Sequence, residues 1–450
     1  MSTADSMQGS MQGLTTSKLE FKKGSSRDRL ILGLIIIGGL ALVIGLAVGI
    51  PLSKRAAVPG PTHDPNIAFA RTFLQSNVLI DGHNDLPWQY RQFSKNHIYN
   101  VSLNEDTRIQ WRRDMEMTDE SFPFLPPQTD IPRLREGGVG AVWWAAFVSC
   151  SATGKDAVRQ GFDQVDVIHK FTAKYPETFT LALTAHDIET TFDDGKISSL
   201  IGLEGGHTIG NTLGVLRMYY RVGVRYMTLT HSCDNDWADN YKADLNGGVS
   251  TGLTDFGRTV VHEMNRLGMI IDVSHVSYQT MKDAILTSEA PVIFSHSSVF
   301  TLCNHYRNVQ DDVLLLLKQN GGIIMINFYT GYIQCTDDHA NTTTVGQVAD
   351  HFDYVKNLIG IDHVAVGADY DGVPSMPLTL EDVSTYPIII AELHKRNWSI
   401  EELQKVTGQN FLRVFRDVEE VKRNKSNMSP YEDILNDEAY IQAHNCTSSF

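Results

Sequence analysis

The sequence predicts an α/β chain, a parallel (β/α)8 TIM-like barrel preceded by a single N-terminal transmembrane helix, and three observations predict it. Eight short apolar or β-branched runs alternate with segments whose apolar residues recur every three or four positions, the pattern of repeated strand–helix units. Six of those runs stop at a histidine or a carboxylate, namely His83, Glu204, His231, His275, His296 and Asp369. Residues 30–50 carry no charge at all.

The first 29 residues, rich in Ser, Met, Gln, Lys and Gly, read as a disordered tail. Residues 30–50 match the ~20 apolar residues that cross a bilayer as a helix. A cleaved signal peptide is the alternative, but its apolar core is usually only ~7–15 residues long. Lys18, Lys22, Lys23, Arg27 and Arg29 precede the span, against Lys54 and Arg55 after it, so the positive-inside rule keeps the N-terminus in the cytosol. The expected topology is type II at the plasma membrane, with everything beyond residue 50 outside. Pro51, Pro59 and Pro61 make residues 51–65 a stalk, residues 66–420 form one domain, and 421–450 are a C-terminal extension. Asn-x-Ser/Thr sequons begin at Asn100, Asn341, Asn397, Asn424, Asn427 and Asn445, all past the span, as an external domain requires.

A hydrophobic fraction of 42% with 20% charged residues describes a globular chain. The net charge of −15 excludes a nucleic-acid binder, which needs a concentrated basic surface.

Strands are expected at 78–83, 139–148, 198–204, 225–230, 269–274, 291–295, 322–328 and 363–368. Helical spacing marks the intervening segments, such as Gly210 to Val222 and Asp255 to Leu267. An open doubly wound sheet is the competing arrangement. It would place a Gly-rich phosphate loop after the first strand, where His83-Asn-Asp-Leu-Pro-Trp88 stands instead.

Catalytic groups of such barrels gather where the strands end. His83 and Asp85, two positions apart, leave a strand on one face. With Glu204, His275 and His296 they supply the imidazole and carboxylate ligands of two catalytic metals sharing a carboxylate. Asp371 shares the face of Asp369 and could simply cap the Asp-Gly turn. His207, after two glycines, reads as structural. His262-Glu263 lacks the second histidine of the zincin motif, since Arg266 occupies that position. Arg307 by itself reads as a surface salt-bridge residue.

Several stretches together resemble the membrane (renal) dipeptidases, a branch of the amidohydrolase-like metal-dependent barrels. They are Asp81-Gly-His-Asn-Asp-Leu-Pro-Trp88, Gly202-Leu-Glu-Gly-Gly-His207, Thr228-Leu-Thr-His-Ser-Cys233, Trp237-Ala-Asp-Asn240, Ile271-Asp-Val-Ser-His275, Phe294-Ser-His-Ser-Ser298, Arg307-Asn308-Val309, Asn327-Phe-Tyr329 and Gly367-Ala-Asp-Tyr-Asp-Gly372. The resemblance covers roughly residues 66 to 420. It implies a metallo-dipeptidase with two Zn2+, one on His83 and Asp85, the other on His275 and His296, bridged by Glu204, which cleaves dipeptides by attack of a metal-bridging hydroxide. In that family's pattern His231 stabilises the tetrahedral oxyanion, Asp369 shuttles the proton, and Arg307 with Tyr329 binds the substrate's C-terminal carboxylate.

The same resemblance implies disulfides Cys150–Cys233 and Cys303–Cys335, and a homodimer to which Cys446 is the candidate interchain link, a free thiol being the alternative. Better-known members resemble GPI-linked proteins. Residues 439–450 lack the ~10–20 residue apolar tail of that signal, so residues 30–50 are the expected anchor. Two other readings remain open on sequence: a non-catalytic barrel acting as a cell-surface receptor or adhesion module, and a related barrel hydrolase acting on a β-lactam, lactone or other amide.

Overall fold

The structure, a computed structural model, describes residues 64–114 and 126–435. The expected tail and transmembrane segment, Cys446 and the Asn445 sequon lie outside the described residues. Among the described residues no helix is long and apolar enough to cross a membrane.

Among the described residues nine parallel strands form one sheet: β1 (Leu79–Asn84), β2 (Val139–Phe147), β3 (Phe179–Leu181), β4 (Ile197–Glu204), β5 (Val224–Thr228), β6 (Ile270–Asp272), β7 (Ile293–Ser297), β8 (Ile323–Ile326) and β9 (Val364–Val366). Their order is β2-β1-β9-β8-β7-β6-β5-β4-β3, and β2 also pairs with β4 from Ala141↔Ser198 to Phe147↔Glu204. That second pairing closes β1, β2 and β4–β9 into an eight-stranded barrel and excludes the open sheet.

Each expected strand is present, most of them shorter than its apolar run. The addition is β3, which pairs with Ile197–Ser199, below the point where β4 begins to pair with β5 at Ile201↔Val224. Three residues, Phe-Thr-Leu, are too short a run for periodicity to register. The helix expected from Gly210 begins instead at Leu213, capped by the Thr212 side chain, because Gly210 and Asn211 adopt positive φ of 56° and 59°. The helix Asp255–Leu267 has the expected bounds: Thr254 accepts from Gly257 N–H at its start, and Gly268 (φ 76°) turns left-handed at its end. Around the expected domain bounds, a helix starts at Pro65, capped by Asp64, and another runs from Asn410 to Asn424, past residue 420.

The core has two layers, as parallel strands buried on both faces require. Ile80, Trp143, Tyr226, Ile270, Ile293, Ile323 and Met325 pack together inside with Phe411 and Phe415 of the last helix. Trp143 meets those two phenylalanines at centroid distances of 5.5 and 6.2 Å. The last helix thereby plugs the end where the strands begin and leaves the other end free for chemistry. The larger cluster, including Val142, Leu203, Met227, Phe294 and Ile324, lies between the strands and the outer helices.

Candidate active site

The site residues sit on or just past the strand ends. His83 belongs to β1, Glu204 ends β4 and His296 belongs to β7. His231, His275 and Asp369 each come three residues after the last residue of their strands. The ladder is irregular between Asp81 and Asn84 and between Phe294 and Ser297, the intervals that contain His83 and His296. His275, Asp369 and Asp371 hold positive φ of 66–68°, a left-handed backbone that non-glycine residues rarely adopt and that clusters at functional sites. A Cβ at Gly372 would collide with Asp85 Oδ2 and Asp369 Oδ1, so only glycine lets that loop approach.

Glu204 stands at the centre, and its two oxygens face different histidines. Oε2 lies 3.5 Å from His83 Nε2, which is 3.2 Å from Asp85 Oδ2 and 4.0 Å from Asp369 Oδ1. Oε1 lies 3.1 Å from His275 Nε2, 3.7 Å from His296 Nε2 and 3.9 Å from His231 Nε2. His275 and His296 face each other, Nε2 to Nε2, at 2.8 Å. Ligand-type atoms fall into three overlapping groups, each within 4.8 Å: His83, Glu204 and His296; Glu204, His231 and His275; His83, Asp85 and Asp369.

His83 Nε2 is buried without a hydrogen-bond partner among the described residues. Its other nitrogen, Nδ1, is held 2.9 Å from Tyr226 OH, which donates to Gly82 O at 3.3 Å. The tyrosine thus accepts the Nδ1 proton, and Nε2 is directed at the carboxylates. A buried set of imidazole nitrogens and carboxylate oxygens suits a binuclear metal site.

Burial sets the electrostatics. It holds the Asp369 carboxyl up to about 8, with Asp85 and Glu204 adding to the effect and His83 opposing it. It also pushes His231 down to about 3, helped by the Arg307 cation and by His207, so that imidazole is neutral at pH 7. His275 and His296 are likewise depressed well below the usual histidine range by burial and by Arg307 together with neighbouring imidazoles. Burial opposes charge on His83 as well, yet Tyr226, Glu204 and Asp85 carry it well above that range.

The cluster opens into a cavity of about 320 Å³, lined also by Trp88, Phe147, Arg307, Tyr329, Tyr332, Asp371 and Pro374. A larger groove of about 520 Å³ lies elsewhere, between Phe162, Leu181 and Val222, and holds none of these residues. Arg307 is buried beside the cluster and, among the described residues, has no carboxylate in ion-pair range. Its guanidinium donates to Ser297 Oγ at 3.2 Å and His296 O at 3.1 Å, and Nε is unpartnered. The ring it lies over, at 5.2 Å, belongs to Tyr332; Tyr329 packs edge-on against Tyr332 at 4.6 Å.

Tyr332 and Tyr226 escape sequence reasoning because one sits in a four-residue helical turn and the other in mid-strand. Asn327, quoted within a motif but given no task there, donates to Asp369 Oδ2 at 2.8 Å. Asp371 Oδ1 accepts from Gln128 N–H at 2.7 Å, which ties that carboxylate to the loop before the second strand. His207 donates from Nε2 to Val148 O at 3.1 Å. Glu263 pairs with Arg217 at 2.9 Å and with Arg266 at 2.7 Å, so the rejected zincin-like motif is an ion-pair cluster.

Cys150 is bonded to Cys233 and Cys303 to Cys335. Cys150 Sγ lies 3.6 Å from His231 Nδ1, so the first disulfide flanks that imidazole. Asn100, Asn341, Asn397, Asn424 and Asn427 are all exposed.

Residues 67–429 match the family described as membrane dipeptidase, peptidase family M19. The chain is 42% identical over 366 residues to Dipeptidase 3 of Rattus norvegicus, covering 81% of this chain and 70% of that protein. It is 42% identical over 365 residues to Dipeptidase aclJ of Aspergillus oryzae, covering 79% of this chain and 81% of the relative. The fold is shared with the crystal structure of the probable dipeptidase PvdM from Pseudomonas aeruginosa, with a TM-score of 0.68 at 19% identity over 79% of this chain and 99% of that one. The extent of the family match and the identity to these relatives leave one assignment: the chain belongs to the membrane dipeptidase family, peptidase family M19, and is a metallopeptidase of that family.

Proposed function

We propose that this chain is a zinc-dependent dipeptidase acting at the outer cell surface on dipeptides with a free C-terminal carboxylate. The observation that carries the reading is Glu204, whose Oε2 faces His83 while Oε1 faces His275 and His296. His83 and Asp85 would hold one zinc, His275 and His296 the other, with Glu204 shared. Bound zinc supplies a positive charge that polarises the amide carbonyl and acidifies water.

The chain's own groups complete the chemistry. Arg307, buried on the cavity wall and without a carboxylate partner among the described residues, offers a fork of N–H donors to the substrate's carboxylate, which orients the peptide and disfavours long chains. Neutral His231 donates to the developing oxyanion. Asp369, whose carboxyl burial makes more basic than an ordinary carboxylate, takes a proton and returns it to the leaving amine. Asn327 keeps that carboxylate aimed by binding Oδ2, which leaves Oδ1 toward the cluster.

Residues 30–50 anchor the enzyme, with the barrel outside. The exposed sequon asparagines, as glycosylation sites, and the two disulfides fit an oxidising external compartment. Cys446 is the candidate bridge of a homodimer.

The test is release of free amino acids from a dipeptide panel by the purified full-length chain, beside Glu204→Gln, with chelator and then added zinc. Cleavage that zinc restores and Glu204→Gln lacks supports the reading. A folded, zinc-loaded protein without turnover sinks it, in favour of a receptor module or of a β-lactam or other amide substrate.

A further inference from the structure

Three adjoining strand ends carry a buried polar chain that terminates on His296. Asp272, the last residue of β6, is fully buried, and four donors converge on its carboxylate. Oδ1 accepts the backbone N–H groups of Ser274 at 3.0 Å and Ser295 at 2.9 Å. Oδ2 accepts the hydroxyls of Thr228 at 2.5 Å and Ser295 at 2.6 Å. Ser295 Oγ lies in turn 2.7 Å from His296 Nδ1.

Counting protons decides the direction of this chain. A serine hydroxyl owns one proton. Four donors meeting one carboxyl group is the inventory of a carboxylate, so Ser295 gives its proton to Asp272; otherwise two oxygens bearing lone pairs would face each other at 2.6 Å. Ser274 Oγ, at 3.5 Å, is too distant to compete for it. Having donated, Ser295 can only accept from His296. The imidazole proton therefore sits on Nδ1, and the Nε2 lone pair faces Glu204 and His275.

We propose that Asp272 is a positioning residue for the metal centre: acting through Ser295, it selects the His296 tautomer whose Nε2 lone pair is free to bind a metal. The proposal rests on the two-metal reading above. Its sharpest consequence concerns Asp272→Asn, which is isosteric. Two backbone N–H groups point at the Oδ1 position, so the amide oxygen must stay there and the NH2 must take the Oδ2 position. Its two protons then go to Thr228 and Ser295. Ser295, now an acceptor toward residue 272, turns its own proton onto His296 Nδ1. The imidazole proton moves to Nε2 and blocks the lone pair the metal needs, with no change in packing.

The experiment uses the full-length chain. Zinc content is measured, zinc affinity is titrated against a competing chelator, and folding is checked by circular dichroism and thermal melting. Wild type should bind two zinc ions. Asp272→Asn should fold but bind zinc about 10–100-fold more weakly at one of its two sites, the range for lost outer-sphere partners of metal ligands. Adding Ser295→Ala to Asp272→Asn removes the misdirected donor, so the double variant should bind zinc more tightly than Asp272→Asn alone.

A merely structural role predicts a double variant no better than the single one, and that result, or wild-type affinity in Asp272→Asn, overturns the proposal. Should Asp272→Asn fail to fold, 15N spectra of the metal-free wild type labelled on histidine decide it: a proton on His296 Nδ1 supports the assignment, and one on Nε2 overturns it. A wild type that binds no zinc defeats the two-metal reading instead, and the same spectra still judge the tautomer.

Discussion

His275 and His296 face each other through Nε2 atoms 2.8 Å apart, both beside the same oxygen of Glu204. At that distance the two nitrogens can share one imidazole proton as an N–H···N hydrogen bond. Burial and Arg307 depress both rings, so neither takes up a second proton at neutral pH, and both stay the neutral imidazoles that suit a metal cation. Chelation should therefore abolish turnover and lower the melting temperature by several degrees. Linkage sets the scale at about 4 kcal/mol for a site at 1,000 times its Kd. Scanning fluorimetry with chelator and then zinc checks this; unchanged melting and full turnover in chelator would refute it.

Arg307 has an observed task and a proposed one, and substrate choice separates them. Its guanidinium holds Ser297 Oγ and His296 O, so any substitution disturbs the metal loop. Only the substrate's carboxylate, however, distinguishes a dipeptide from its C-terminal amide. Removing one partner of a buried charged pair costs roughly 2–5 kcal/mol. Arg307→Met should accordingly lower kcat/KM for free dipeptides by about 30-fold or more beyond its effect on dipeptide amides. Equal losses on both substrates would assign Arg307 a structural task alone.

Asp369→Asn keeps the size of the side chain, and its amide oxygen can still accept from Asn327 Nδ2. What it removes is the carboxylate proposed to take up and return a proton. Proton transfer by a placed side chain contributes about 10²–10⁴-fold. That loss should fall on kcat, with KM and zinc content nearly unchanged. Steady-state kinetics with zinc analysis tests it, and a variant that loses its zinc would make Asp369 a ligand rather than a proton carrier.

Much of this arrangement was legible in the sequence because barrels put chemistry where apolar runs stop, and a run of four to eight residues with a polar end can be read locally. The helix Asp255–Leu267 was readable to the residue, since Thr254 and Gly268 mark its ends by backbone chemistry of their own. What escaped depends on distant contacts. Tyr226 reaches His83 only because Gly202 on the neighbouring strand has no Cβ to meet its ring. Tyr332 lies under Arg307 within a turn that Cys335, bonded to Cys303, helps to place, and no local period encodes that. The nature of each strand-end residue is written in its own hexapeptide, whereas its partner is set by the closure of the barrel.

His351 predicts how the fold responds to acid. It is buried, with Nδ1 accepting from Val299 N–H at 3.0 Å and Nε2 donating to Ile333 O at 3.1 Å. It thereby ties the segment following His296 to the turn that carries Tyr332. Burial pushes its pKa down to about 4, against the hydrogen bond to Ile333, which raises it. The folded-state value lies below the unfolded value of about 6.5, so the unfolded chain binds the extra proton first. The neutral ring's contribution is complete above about pH 6.5 and is lost as the pH falls toward 4, roughly 3 kcal/mol over the whole window. His351→Gln can keep both bonds, its carbonyl toward Val299 and its amide toward Ile333, but cannot titrate. Urea unfolding at pH 7 and pH 5 should show a smaller acid loss in the variant, by about 2 kcal/mol. Equal pH dependence in the two proteins would mean that His351 already accepts its proton in the folded state, with Val299 N–H released to another acceptor.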